Sequence, residues 1–83
     1  MEFAALVQKF GLSKSEATVY VALVELGSSG IAHLARHTKL YRPMIYKSLA
    51  ALMDKRLVST SVVGKRTVYI AESPATLERL IDH

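Results

Sequence analysis

The 83-residue sequence has no cysteine and no tryptophan, and only two prolines and four glycines. Without cysteine there are no disulfide staples, no thiol chemistry and no cysteine-ligated zinc. No apolar run approaches the roughly 20 residues that cross a bilayer. The first ten residues, MEFAALVQKF, lack the basic-then-apolar order of a secretory signal. A cytoplasmic setting is expected, with no membrane partner. Groupings for catalysis are missing as well. The acids are scattered rather than paired, no glycine-rich phosphate loop follows a strand, and no serine sits in a nucleophile elbow. These gaps argue against an enzyme and against a bound cofactor. A chain of this length buries about 63% of its surface on folding. That is enough for one small core and too little for a deep cleft with supporting walls.

Acids are scarcest in the middle of the chain. Between residues 36 and 66 stand Arg36, Lys39, Arg42, Lys47, Lys55, Arg56, Lys65 and Arg66, with Asp54 the only acid. The two flanks together carry three basic residues against six acidic ones. A basic centre between acidic ends is the asymmetry expected when one face meets a polyanion, although many solvated surfaces are also basic.

All four glycines and both prolines fall at the boundaries of periodic segments. Phe3, Leu6, Val7 and Phe10 form the i, i+3, i+4, i+7 stripe of a first amphipathic helix, which Gly11 ends. Ser13-Lys14-Ser15-Glu16 is a capping box opening a second helix that stops at Gly27. Its apolar face, with Ala17, Tyr20, Val21, Leu23 and Val24, is wide, so it is expected to be the central helix, with Tyr20 in the core. A short helix with Ile31, Leu34 and Ala35 on one side follows Gly30 and breaks near Thr38 to Tyr41. Pro43 suits the first turn of the next helix. There Ile45, Leu49 and Leu52 point inward, while Met44, Lys47, Ser48 and Ala51 form the expected outer side. Leu57 to Val63 and Thr67 to Ala71 are β-branched runs around a glycine-containing tip, a β-hairpin. Pro74 opens a last helix carrying Leu77, Leu80 and Ile81.

This order is mainly α with a small β-hairpin. It predicts a winged helix-turn-helix with additional N- and C-terminal helices, forming one domain over residues 1–83. The helix pair spans about 30–55 and the wing about 57–71. In such a fold the second helix of the pair, here about 42–55, enters the DNA major groove, and the wing tip, here 63–66, lies on the backbone. Arg36, Lys39, Tyr41, Arg42, Met44, Lys47, Ser48, Lys65 and Arg66 are the candidate DNA contacts. Tyr41, Arg42, Met44, Lys47 and Ser48 are placed to meet base edges, and the basic residues to meet phosphates.

The sequence also resembles the N-terminal winged-helix domain of the TrmB family of prokaryotic transcriptional regulators. The matching residues are Phe10-Gly11-Leu12-Ser13-Lys14-Ser15-Glu16-Ala17, Val19-Tyr20-Val21-Ala22-Leu23 and Leu26-Gly27. Further matches are Ile45-Tyr46-Lys47-Ser48-Leu49 and Leu57-Val58 before the wing. The resemblance covers nearly the whole chain, and GLSKSEATVYVAL is its most specific part. It implies a DNA-binding, usually dimeric regulator of operons, often for sugar uptake. Relatives usually continue into an effector-binding region that this sequence does not contain, so no small-molecule effector site is expected in it. They also often carry small or polar residues where this chain has Tyr41, Pro43 and Met44.

The remaining signals have plainer readings. Lys55 and Arg56 are expected to favour the helix C-terminus through its dipole. Tyr46 is expected at the core edge. His33 and His37 have a metal-chelating spacing but no third ligand, so no metal is expected. The terminal stripes Phe3, Leu6, Val7, Phe10, Leu77, Leu80 and Ile81 exceed what a core of this size needs, which points to a homodimer across a two-fold axis. The rival to a double-stranded DNA partner is a winged-helix module for protein partners. Its contact patch would be Tyr41, Pro43, Met44, Val68 and Ile70.

Overall fold

Helix α1 (Lys14–Leu26) begins where Ser13, in extended backbone, accepts a hydrogen bond on its hydroxyl from the Glu16 amide at 3.2 Å. It ends at Gly27, whose φ of +86° favours a residue without Cβ. Its residues Ala17, Val19, Tyr20, Ala22 and Leu23 are buried, so α1 is the central helix that its wide apolar face predicts. The computed structural model describes residues 11–72. After α1 come β1 (Ser28–Ser29), α2 (Ile31–Thr38), α3 (Arg42–Asp54), β2 (Val58–Val63) and β3 (Arg66–Ala71). This is the winged helix-turn-helix order. The expected terminal helices, with Phe3, Leu6, Val7 and Phe10 in one and Leu77, Leu80 and Ile81 in the other, lie outside the described residues.

The core is one cluster. Leu34 from α2 and Ile45, Leu49 and Leu52 from α3 close on α1 from one side, and Leu57 and Val58 close it where the wing begins. Fully burying each leucine or isoleucine contributes about 1.5–3 kcal/mol. Together with the buried side chains of α1, they form the hydrophobic core of the described residues.

The wing is a three-stranded antiparallel sheet in the order β1-β3-β2. Ser28 and Ser29 pair with Ile70 and Tyr69, although the sequence there reads as a loop. A two-residue strand has no alternation to detect; its strand state is imposed by β3 beside it. The hairpin closes with Val63 opposite Arg66. Gly64, at φ +65°, takes the first turn position, as a two-residue II′ turn requires. Val68 and Ile70 are half-buried rather than open. The exposed apolar residues of the wing are instead Val62 and Val63 on β2.

Glu72, just past β3, fastens the wing to the helices. Its amide donates to the Leu57 carbonyl at 2.7 Å, its carboxylate accepts from the Ser59 hydroxyl at 2.8 Å, and its carbonyl accepts from the buried Tyr20 phenol. Burial, and then the negative charge of Glu72, push the Tyr20 phenol up to about 12 from its ordinary 10.0. A folded-state value above the unfolded one means that the neutral phenol stabilises the fold below about pH 10, and that this contribution is lost as pH rises through about 12. Tyr20→Phe should therefore cost about 1–2 kcal/mol in urea unfolding at neutral pH. It should also flatten the fall in stability between pH 10 and 12; an unchanged alkaline slope would show that this phenol is not its source.

Candidate nucleic-acid interface

The turn between α2 and α3 is stitched by Thr38, whose hydroxyl donates to the Leu34 carbonyl at 2.7 Å and accepts from the Leu40 amide at 3.3 Å. Lys39 closes α2 in left-handed backbone, φ 60° and ψ 26°. Tyr41 then caps α3 in extended backbone, and Pro43 lies in its first turn. The outcome is an α3 whose N-terminal end stands in solvent. Tyr41 is 78% and Met44 40% exposed, and Arg42, Pro43 and Lys47 are exposed with them. These five line one shallow, mostly apolar concavity. Four of the nine candidate contacts, Tyr41, Arg42, Met44 and Lys47, are thus brought together.

Ser48 is not among them. It is 2% exposed and lies on the inner side of α3 with Ile45, Leu49 and Leu52. The expectation of a base contact there is corrected by helix geometry: residue 48 follows 45 by three positions and precedes 52 by four, so all share one face. Ala51, also expected outside, is half-buried for the same reason. The outward stripe runs instead through Arg42, Pro43, Tyr46, Lys47 and Ala50, all exposed. Tyr46, expected at the core edge, is 53% exposed. Its place at i+4 from Arg42 and i+3 from Pro43 was the available signal.

A second group forms where α2 meets the wing. Arg36 and Arg66, with His33 and Thr67, line a cleft at the start of α2 bounded by Ser28 to Ala32. The pairing of β1 with β3 is what builds its floor, and so this meeting of Arg36 with Arg66 has no signature in the sequence. Lys65 stands at the exposed hairpin tip and Lys39 at the exposed helix turn. None of the eight exposed candidates is ion-paired with a carboxylate among the described residues. Among the described residues, Lys55 reaches Glu16 at 3.3 Å, and the His37 ring approaches Glu25 at 3.8 Å. Lys55 is also the backbone C-cap of α3, so its side chain joins α1 to α3 rather than serving only the helix dipole. Burial alone would raise the Glu16 carboxyl, but hydrogen bonding with Ser13 and Lys55 outweighs it and holds the carboxyl below its ordinary value. The candidate dimer residues Phe3, Leu6, Val7, Phe10, Leu77, Leu80 and Ile81 lie outside the described range.

Comparison with known proteins agrees with this architecture. The family described as sugar-specific transcriptional regulator TrmB matches residues 6–75. No curated protein matches the chain. Among solved structures, the archaeal chromatin protein TrmBL2, whose structure is described as showing a novel mode of DNA binding, is 33% identical. The match covers 96% of this chain but 30% of TrmBL2, at a TM-score of 0.80. The ST1889 protein of the thermoacidophilic archaeon Sulfolobus tokodaii is 20% identical over 99% of this chain and 86% of its own, at a TM-score of 0.74. The homodimeric winged helix-turn-helix DNA-binding domain of Mb0332 from Mycobacterium bovis is 20% identical over 96% of this chain and 75% of its own, at a TM-score of 0.69. These last two likenesses speak to the fold.

The facing of α3 makes a direct prediction. Ser48→Lys forces an ammonium into the core side of the helix and should cost more than about 3 kcal/mol. Tyr46→Lys, on the solvent side, should stay within about 0.5 kcal/mol of the parent. Chemical denaturation of the two variants measures both, and similar losses would contradict this orientation.

Proposed function

Because the chain belongs to the TrmB family of transcriptional regulators, we propose that it is a sequence-specific regulator that binds double-stranded DNA through one domain spanning residues 1–83. Helix α3 enters the major groove and the wing tip rests on the backbone. The observation that carries this reading is the solvent-facing N-terminal half of α3, where Arg42 and Lys47 flank Tyr41, Met44 and Tyr46. Arginine can meet guanine through two hydrogen bonds, and the apolar side chains suit a thymine methyl. Arg36 and Arg66, in their shared cleft, together with Lys39 and Lys65, bind phosphates and set the register. A homodimer joined through Phe3, Leu6, Val7, Phe10, Leu77, Leu80 and Ile81 would present two recognition helices to two half-sites. The homodimeric state of the Mycobacterium bovis domain supports a dimer as such. The setting is a prokaryotic cytoplasm, and no described helix is long and apolar enough to cross a membrane.

The test is titration of a labelled duplex at two salt concentrations. Six phosphate contacts predict about a thousandfold loss of affinity between about 50 and about 200 mM salt. Arg42→Ala should cost about 1–3 kcal/mol on the preferred site and relax the preference at one base, whereas Lys65→Ala should weaken all sequences alike. Absent or salt-independent binding would overturn the DNA reading and favour a protein partner on Tyr41, Pro43, Met44 and Tyr46. Lys39→Gly separates fold from function. Relieving the left-handed lysine should stabilise the protein by about 0.5–1 kcal/mol while weakening DNA binding. Equal or tighter binding by this variant would remove Lys39 from the interface.

A further inference from the structure

The concavity at the start of α3 has a lining that selects among the groups a duplex can offer it. Tyr41, Pro43 and Met44 make that lining mostly apolar, and the cations Arg42 and Lys47 complete it; among the described residues no acid takes part. Tyr41 caps the helix without a side-chain hydrogen bond. Pro43 has no N–H, so it removes one of the amides that draw a phosphate to a helix start. The two cations suit this end of α3 to a polyanion, while the apolar lining between them suits something other than a phosphate.

In the major groove guanine presents N7 and O6, adenine N7 and N6, cytosine N4, and thymine O4 together with its C5-methyl. All of these but the methyl are polar. A polar edge pressed against Met44 and Pro43 gives up its water and finds no partner. The thymine methyl loses nothing by leaving water and gains apolar contact. Met44 is 40% exposed and so has apolar surface left to bury, and an unbranched methionine adapts its shape to the group it meets. Arg42 carries the forked guanidinium that meets guanine through two hydrogen bonds. Arg42 and Met44 share one concavity, and stacked base pairs are only about 3.4 Å apart, so the groups they meet lie in neighbouring base pairs.

Resting on the DNA reading above, we propose that this concavity is a methyl reader. It takes the C5-methyl of a thymine in the base pair next to the guanine that Arg42 contacts. Met44 is the specificity-determining side chain, and Tyr41 and Pro43 are the walls beside it. What is recognised is the methyl and not thymine as a whole. The same site therefore accepts 5-methylcytosine and discriminates against plain cytosine and against uracil.

The test uses the full chain and a duplex that it selects from a random pool. Each thymine of that duplex is replaced in turn by deoxyuridine, which removes one methyl and leaves the base pairing unchanged. One replacement, repeated in any second half-site, should weaken binding about fourfold, the worth of one buried methyl-sized group. The others should leave binding unchanged. At the sensitive position, 5-methylcytosine paired with guanine should bind about fourfold more tightly than cytosine there. Met44→Ala keeps a good helix former at a solvent-facing position. It should bind the thymine and deoxyuridine duplexes equally, with the steep salt dependence retained. Salt-dependent binding that yields no preferred sequence, or that no deoxyuridine disturbs, would overturn the methyl reading while the DNA reading stands. Discrimination that survives Met44→Ala would overturn it too, by placing the methyl elsewhere on the protein. A chain that binds no duplex at all would remove both readings together.

Discussion

The hydrogen bond from the Tyr20 phenol to the Glu72 carbonyl is the constraint on which the arrangement of helices and wing depends. A two-stranded hairpin is marginal in water on its own. This one gains a third strand from only two residues, Ser28 and Ser29. What fixes it to the helical body is the base of the hairpin, where Leu57 and Val58 enter the core and Glu72 pairs with Leu57. Tyr20 reaches that point from the middle of the central helix. Its ring contributes apolar burial, and its hydroxyl donates to the Glu72 carbonyl. A phenylalanine would fill the same space and leave that carbonyl without the bond. The orientation of Lys65 and Arg66 relative to α3 is thus set by a residue that touches neither.

The face of α3 shows how little separates core from surface in a helix this short. Each residue advances about 100° around the axis, so Ile45, Ser48, Leu49 and Leu52 occupy one side and Arg42, Tyr46, Lys47 and Ala50 another. A polar residue at 48 and an aromatic one at 46 invite the opposite assignment when side-chain character is weighed above angular position. Serine is small enough to lie between helices, and a tyrosine keeps a wetted hydroxyl when it stands outside. Composition misleads at both positions, and geometry settles both.

Much of the architecture was legible because it rests on local signals. Ser13 and Gly27 mark the ends of α1, Pro43 marks the start of α3, and Gly64 marks the hairpin turn, each through its own backbone chemistry. The core was readable from period alone, since Leu34, Ile45, Leu49 and Leu52 recur where a buried face demands. What could not be read depends on contacts between distant residues. Strand β1 exists because β3 lies beside it. The cleft holding Arg36 and Arg66 exists because β1 does, so two basic residues thirty positions apart in sequence become neighbours only after the sheet forms. The reach of Lys55 to Glu16 is another such contact, since nothing in either segment names the other as its partner.

Two basic residues also occupy places that glycine would fill with less strain. Lys39 before α3 and Arg56 after it both adopt left-handed backbone, at φ 60° and 62°. Such a conformation costs a residue with a Cβ about 1 kcal/mol relative to glycine, a sizeable share for a domain with so small a core. Glycine is used where it is needed elsewhere, at positions 11, 27 and 64. Both side chains stand exposed, and a cation just past the C-terminus of α3 is also favoured by the helix dipole. The helix that offers Arg42 and Lys47 along its outer side is bracketed by positive charge at both ends.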